Sequence, residues 1–245
     1  MNTAQQHVLN YTEETQHLFS QERKAFLQKL SLEKLLEEMS PYFWFRQQPN
    51  DAVQIVTKFL DAALYSNEET LFGNWLEGLA IFVNQKVFGG WKSGITGIDL
   101  EFDNENTRYI VAVKSGPNWG NSSQIAKMKS DFNSAKKTLR TSNSKLHIEA
   151  INGCCYGRDD AFNKGDYYKY CGQRFWAFIS GNDELYTEII EPLGHTAMER
   201  NKEFIESFSK MRTKFVRDFL NQFCLKDGSI DWIKLVRFNS GKEKE

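Results

Sequence analysis

Asp99 and Lys114 stand fifteen positions apart, on either side of the polar stretch Asp103-Asn104-Glu105-Asn106, which reads as a turn. Before it, Ile98, Leu100 and Phe102 alternate with Asp99, Glu101 and Asp103; after it, Arg108–Lys114 is rich in β-branched residues, so the segment reads as a hairpin. Side chains alternate along a strand, which puts Asp99 with Glu101 on one face of the first strand and Lys114 with Ala112 and Ile110 on one face of the second. If Asp99 and Lys114 both lie at the open end of a sheet, a carboxylate and an ammonium converge there. That pairing suits phosphodiester hydrolysis. A carboxylate can hold Mg²⁺, which polarises a phosphoryl oxygen and lowers the pKa of an attacking water. A lysine can steady that nucleophile or the developing negative charge. A strand-end Asp and Lys also make an ordinary surface pair, so context has to decide. A lysine closing Tyr-Ile-Val-Ala-Val is costly to bury alone, and it calls for a carboxylate or a phosphate.

The context is polar and basic. Residues 115–121, Ser-Gly-Pro-Asn-Trp-Gly-Asn, cannot be regular structure, and Ser122 or Ser123 opens a helix to about Arg140. Between Lys114 and Lys145 there are seven basic residues (Lys114, Lys127, Lys129, Lys136, Lys137, Arg140, Lys145) and one acid, Asp131. This is a candidate polyanion footprint, or else a solvated helix face. Lys129, Lys136 and Arg140 fall roughly on one side of the helix, with Lys127 displaced. Backbone amides of the preceding loop and of the helix start can bind phosphate. Trp119 either faces a ligand or packs under its loop. The loop 156–174 carries Arg158 and Arg174, suited to phosphates and base edges, though an Arg158–Asp160 surface pair is as good a reading. The Lys86, Lys92 and Ser93 region could equally approach a backbone.

Other chemistries find little support. The formal net charge of −1 specifies no partner. No phosphate-binding Gly-x-x-x-x-Gly-Lys-Ser/Thr loop occurs, and His7, His17, His147 and His195 lie near no nucleophile-elbow motif. Cys154, Cys155, Cys171 and Cys224 fit no usual zinc spacing and read as buried thiols. No apolar run approaches the ~20 residues of a membrane span, and the first twenty residues carry no signal-peptide stretch, so no membrane association and a cytoplasmic location are expected.

The elements that must position these residues follow from periodicity. In a chain of 245 residues, residues 4–40 read as helical, with Ser31 able to cap 32–38, and 51–65 and 69–86 read as two further helices. Glu77 falls near the edge of the buried stripe of the second. After the hairpin and the basic helix, strands are expected at 146–156 and 175–179, then helices from 184 with long segments at 197–223 and 230–238. The order predicts an α/β domain, a mixed β-sheet flanked by helices.

Gly97-Ile98-Asp99-Leu100-Glu101-Phe102 followed by Tyr109-Ile110-Val111-Ala112-Val113-Lys114-Ser115-Gly116 resembles the core of the PD-(D/E)XK nucleases, and more narrowly type II restriction endonucleases. In these a Lys-Ser/Ala-Gly-x-x-Trp-like loop leads into a helix with an early glutamine, here Gln124. Phe72-Gly73-Asn74-Trp75-Leu76-Glu77, Gln173-Arg174-Phe175-Trp176-Ala177-Phe178 and Asp227-Gly228-Ser229-Ile230-Asp231-Trp232 extend the resemblance over roughly residues 70–238. It implies a restriction-endonuclease-like mixed sheet with helical N- and C-terminal parts, divided as a helical region 1–68 and a nuclease core 69–245. It implies Mg²⁺, Asp99 as metal-binding aspartate and Lys114 as catalytic lysine. Ala112 departs from the pattern, which has Glu or Asp there. Glu101 or Glu77 would then supply the second carboxylate; a two-residue strand step of about 6.6 Å places Glu101 better for a second ion or a water. Ser115, Asn118, Trp119, Asn121, Gln124, Lys129, Lys136, Arg140, Arg158 and Arg174 are the expected DNA-binding residues. The implied activity is cleavage of double-stranded DNA at a short palindrome by a homodimer, with a cognate methyltransferase as genetic partner. The alternatives are a repair or structure-specific nuclease of the same fold, or a non-catalytic DNA-binding protein on a decayed core.

Overall fold

A computed structural model of the protein describes residues 3–49, 51–141, 145–197 and 201–242. Within them the elements run α1 (Thr3–Lys29), α2 (Leu32–Glu38), α3 (Pro41–Arg46), α4 (Ala52–Phe88), β1 (Trp91–Lys92), β2 (Leu100–Asn104), β3 (Thr107–Lys114), α5 (Ser122–Thr141), β4 (His147–Cys154), β5 (Tyr168–Cys171), α6 (Gln173–Ser180), α7 (Leu185–Glu188), α8 (Ile190–Ala197), α9 (Asn201–Phe223) and α10 (Trp232–Ser240). The chain divides into two compact units. One comprises Met1–Gln16 and Phe72–Thr196, the other His17–Leu71 and Ala197–Glu245.

The first unit holds a five-stranded sheet in the order β1-β2-β3-β4-β5. β1, β2 and β3 pair antiparallel, whereas β3, β4 and β5 are parallel. A parallel neighbour requires a crossover, and α5 supplies it between β3 and β4. The β2–β3 turn places Glu105 at φ 53°, and the facing Asp103 and Arg108 close the hairpin with two hydrogen bonds of 2.7 and 2.9 Å. One face of the sheet, with Leu100, Phe102, Val111, Val113 and Ile151, is covered by Leu76, Leu79 and Val83 of α4 and by Phe175, Trp176 and Ile179 of α6. The opposite face carries Ile110, Ala112, Ile148 and Ala150 against Met128, Phe132, Ala135 and Leu139 of α5. Gly153 has no room for a side chain, since a Cβ there would meet the Phe175 ring at 2.1 Å.

In the second unit helices pack around Leu32, Leu35, Ile55, Phe59, Phe215, Phe219 and Leu235. Ser31 caps α2 as expected, its Oγ accepting from the Lys34 amide at 3.2 Å. Asn239 of α10 donates to the carbonyls of Leu36 and Met39 at 2.7 and 3.0 Å, closing the end of α2.

Three expectations about elements change. The segments 51–65 and 69–86 form one helix, α4, because 66–68 contain neither Gly nor Pro to break it. Phe175–Ile179 is part of helix α6, not a strand: Phe175, Trp176 and Ile179 share one buried side at helical spacing, and Gly181 at φ 68° ends it. The fourth principal strand is instead the tyrosine-rich Tyr168–Cys171, and the two-residue β1 forms one edge. The C-terminal helices α9 and α10 fall in the second unit. Of the expected helix 197–223, residues 198–200 lie outside the described ones.

Candidate active site

Parallel pairing of β3, β4 and β5 brings their C-terminal ends, Lys114, Cys154 and Cys171, to one edge of the sheet. Asp99 reaches the same edge from just before β2. Its N–H donates to the Val111 carbonyl at 2.9 Å, and its Oδ2 accepts from the Val113 amide at 2.7 Å. Backbone and side chain together therefore fix this carboxylate on β3. The Lys114 Nζ lies 3.8 Å from Asp99 Oδ2, with side chains 33% and 23% exposed. The pair is solvent-accessible and looser than the ~2.8 Å of a closed charge-assisted hydrogen bond. The same ammonium lies 5.5 Å from the centre of the Trp119 ring.

Glu77 comes to this cluster from α4. Burial holds its carboxyl above the usual range, the Asp99 charge adds to that, and Lys92 and Lys114 work against it. Lys92 Nζ stands 4.0 Å from Glu77 Oε1. One turn earlier, Gly73 lets the helix lie close to the end of β3; a Cβ there would sit 2.6 Å from Ser115 Oγ. Tyr11 of α1 packs over Gly78, and its phenol is pushed up by burial and then by the Glu77 charge.

Glu101 shares the strand but not the cluster. It is 4% exposed, so it is not a solvent-facing residue, and its Oε1 accepts from Ser93 Oγ at 2.7 Å. Its charge acts on Arg108. Ala112 is 1% exposed within the α5-side cluster.

The expected DNA-binding residues fall into two groups. Asn118, Arg140, Arg158 and Arg174 are exposed, with the Arg174 guanidinium 4.2 Å from the centre of the Phe162 ring. The others have internal partners. Asn121 and Gln124 form a reciprocal cap on α5: the Gln124 amide donates to Asn121 Oδ1 at 3.0 Å and the Asn121 amide to Gln124 Oε1 at 2.9 Å. That cap occupies the Gln124 amide expected to be open to phosphate. Lys129 pairs with Asp166 at 3.6 Å, and Lys136 donates to the Asp166 carbonyl at 3.1 Å. Ser115 accepts at its carbonyl from the Tyr156 amide at 3.0 Å. In the same 156–167 loop Asp159 pairs with Lys164 at 3.1 Å and with Lys169 at 3.2 Å. Burial opposes its ionisation, but Lys164 and Lys169 hold its carboxyl below the usual range.

Sequence reading missed Ser93 as the partner of Glu101, Lys169 as the partner of Asp159, and Asn152, which is 1% exposed. A lone amide inside Leu-His-Ile-Glu-Ala-Ile-Asn-Gly-Cys was the available signal for the last. The cysteines are free, as expected; burial raises the thiols of Cys154 and Cys155, the latter to about 12. Among the described residues no three His, Cys, Asp or Glu side chains form a metal cage. The donors present still fit Mg²⁺, which uses one or two carboxylates with waters and substrate phosphate. Asp99 pressing on the Glu77 carboxyl is the repulsion that a shared divalent cation relieves.

A mixed α/β sheet with a carboxylate–lysine pair at the ends of its strands has the architecture of a restriction-endonuclease-like protein. Over residues 6–201 the chain matches the family model described as Type II restriction endonuclease EcoO109I, and it belongs to that family. Membership makes it a nuclease acting on DNA. No curated protein matches the chain. Among the described residues no helix is long and apolar enough to cross a membrane.

Proposed function

We propose that the protein is a Mg²⁺-dependent type II endonuclease of the PD-(D/E)XK kind, with Asp99, Lys114 and Glu77 as its working residues. It cuts double-stranded DNA at a short palindrome as a homodimer, within a cytoplasmic restriction–modification system whose methyltransferase protects the same site. The observation that carries this reading is the accessible Lys114–Asp99 pair at 3.8 Å with the Glu77 carboxyl under the influence of both.

Asp99 and Glu77 would hold the ion, Glu77 replacing the acid missing at Ala112. Glu101, engaged by Ser93, is the alternative second carboxylate. Bound Mg²⁺ supplies Lewis-acid polarisation of the phosphate and a more acidic water. The chain's own part is electrostatic and geometric. The Lys114 ammonium would balance the negative charge that develops on the phosphoryl oxygens, since its loose 3.8 Å contact with Asp99 leaves N–H donors for that anion. The Val113 amide keeps Asp99 in place whether or not the lysine moves. Asn118, Asn121, Gln124, Arg140, Arg158 and Arg174 are exposed and suited to the DNA backbone and base edges; the half-buried Ser115, Trp119, Lys129 and Lys136 would support that surface.

Cleavage of unmethylated plasmid and phage DNA with Mg²⁺, run beside Asp99→Ala and Lys114→Ala, tests the reading. Discrete fragments from the parent alone are expected. Cleavage surviving both substitutions removes this active site. The buried methyl of Ala112 favours one second reading, a decayed core that holds DNA uncut. It would show as tight, steeply salt-dependent binding without cleavage.

A further inference from the structure

Asn152 is a buried carboxamide in the middle of β4, on the α5 side of the sheet. Its register neighbours are Ala112 on β3 and Lys169 on β5. A buried amide is costly unless hydrogen-bonded, and both ends of this one are satisfied. Its Nδ2 donates to the Ala112 carbonyl at 3.2 Å, and its Oδ1 accepts from Trp119 Nε1–H at 3.1 Å, with the Cys154 thiol more weakly placed at 3.9 Å. Because one partner is a carbonyl and the other an indole N–H, only this orientation of the amide satisfies both.

The β3–β4 ladder does not require these bonds, since residues 107–114 and 147–154 already pair throughout. What Asn152 adds is a seat for Trp119, whose ring packs on the α5-side cluster and lies 5.5 Å from Lys114 Nζ. The neighbouring Lys169 fastens the same loop two residues earlier, donating to the Pro117 carbonyl at 2.9 Å. The row Ala112–Asn152–Lys169 is thus a platform on which the 115–121 loop is docked. An alanine in the first place of that row sets only a methyl group beside the seat.

We infer that Asn152 is a positioning residue for the proposed reaction: it seats Trp119 so that the indole face caps the Lys114 ammonium and confines it near Asp99. The inference rests on the reading of Lys114 as the reaction's cation, and the test separates the two. Lys114 is acylated with acetic anhydride at fixed pH, and its rate is read by peptide mass spectrometry against the exposed Lys137 as internal reference. No DNA is needed. Trp119→Ala is expected to raise the relative rate about three- to tenfold. Asn152→Ala should come within about twofold of that, and the double variant should add nothing further. Trp119→Phe removes the same hydrogen bond from its other end and leaves the amide buried, so the test survives if Asn152→Ala does not fold; it should raise the rate by a smaller factor. A parental rate in Trp119→Ala, or in both Asn152→Ala and Trp119→Phe, overturns the inference. In single-turnover cleavage at saturating DNA, Asn152→Ala should slow the cutting step about tenfold. Acylation rates as expected, with cleavage indifferent to Lys114→Ala, would support the seat and remove the proposed function.

Discussion

The two faces of the same five-stranded sheet are built to different rules. The face under α4 and α6 is mainly apolar, with Leu100, Phe102, Val111, Val113 and Ile151 all buried and Glu149, opposite Tyr109, its charged exception, and Phe102 stacks on Tyr109 with ring centres 5.0 Å apart. The face under α5 shares its rows with polar groups. Asp99, Glu101, Lys114, Asn152 and Lys169 alternate there with Ile110, Ala112 and Ala150. Each buried polar group on it has a named partner: Ser93 for Glu101, and Ala112 and Trp119 for Asn152. The lesson is one of division of labour. The apolar face holds the strands in register, so the other can afford charges whose pairing is incomplete at the edge.

Substitutions that separate the faces should therefore separate activity from stability. The largest effect is expected at the charged edge, where Lys114→Ala or Asp99→Ala lowers single-turnover cleavage by about a thousandfold, and the urea midpoint of Lys114→Ala stays near the parent. Phe102→Ala on the apolar face should do the reverse, costing about 3–5 kcal/mol in urea unfolding through the cavity it leaves, with DNA cleavage by the folded fraction retained. A comparable loss of stability in Lys114→Ala would break the comparison. Gly73→Ala probes the boundary between α4 and the site. Its Cβ would press on Ser115 Oγ, and a displaced strand end should slow cleavage about ten- to a hundredfold, read in the same assay with a thermal-melt control.

Smaller effects sharpen the picture. Arg140→Ala should lower the slope of log affinity against log salt by about one, measured by DNA binding without divalent metal. The pH dependence of stability tests Glu77. Burial and the Asp99 charge raise its carboxyl in the folded state, so between the ordinary value near 4.5 and the raised one the folded protein binds more protons than the unfolded chain. Its contribution to stability is then greatest at low pH and falls as pH rises through that window. The melting temperature of Glu77→Gln should gain on the parent across the window and hold a constant lead above it. A lead that shrinks with rising pH would contradict the like-charge account.

Much of the fold could be read from local pattern, and the failures were of one kind. The β2–β3 hairpin, α5 and β4 carry clear periodicity bounded by turns. Phe175–Ile179 was ambiguous because a short apolar run looks alike as a buried strand or one turn of buried helix. The break expected in α4 was absent because polar residues without Gly or Pro do not stop a helix. At the site, Asp99 and Lys114 could be paired from strand alternation and a turn. Glu77 could only be offered, since nothing local ties a helix residue at 77 to a strand end at 114. The reciprocal cap between Asn121 and Gln124, by contrast, is local and fits the Asn-x-x-Gln spacing at the helix start.

Sequence by itself therefore determined the hairpin, the facing of Asp99 and Lys114 and the basic helix, because each depends on contacts near in the chain. Tertiary structure decided that the Glu77 carboxyl feels the Asp99 charge, that Glu101 accepts from Ser93, and that Asn152 accepts from the Trp119 indole. Those choices depend on parallel strand register and on how closely α4 approaches β3, which Gly73 permits and packing sets. Such long-range juxtapositions leave no periodic trace in the chain that makes them.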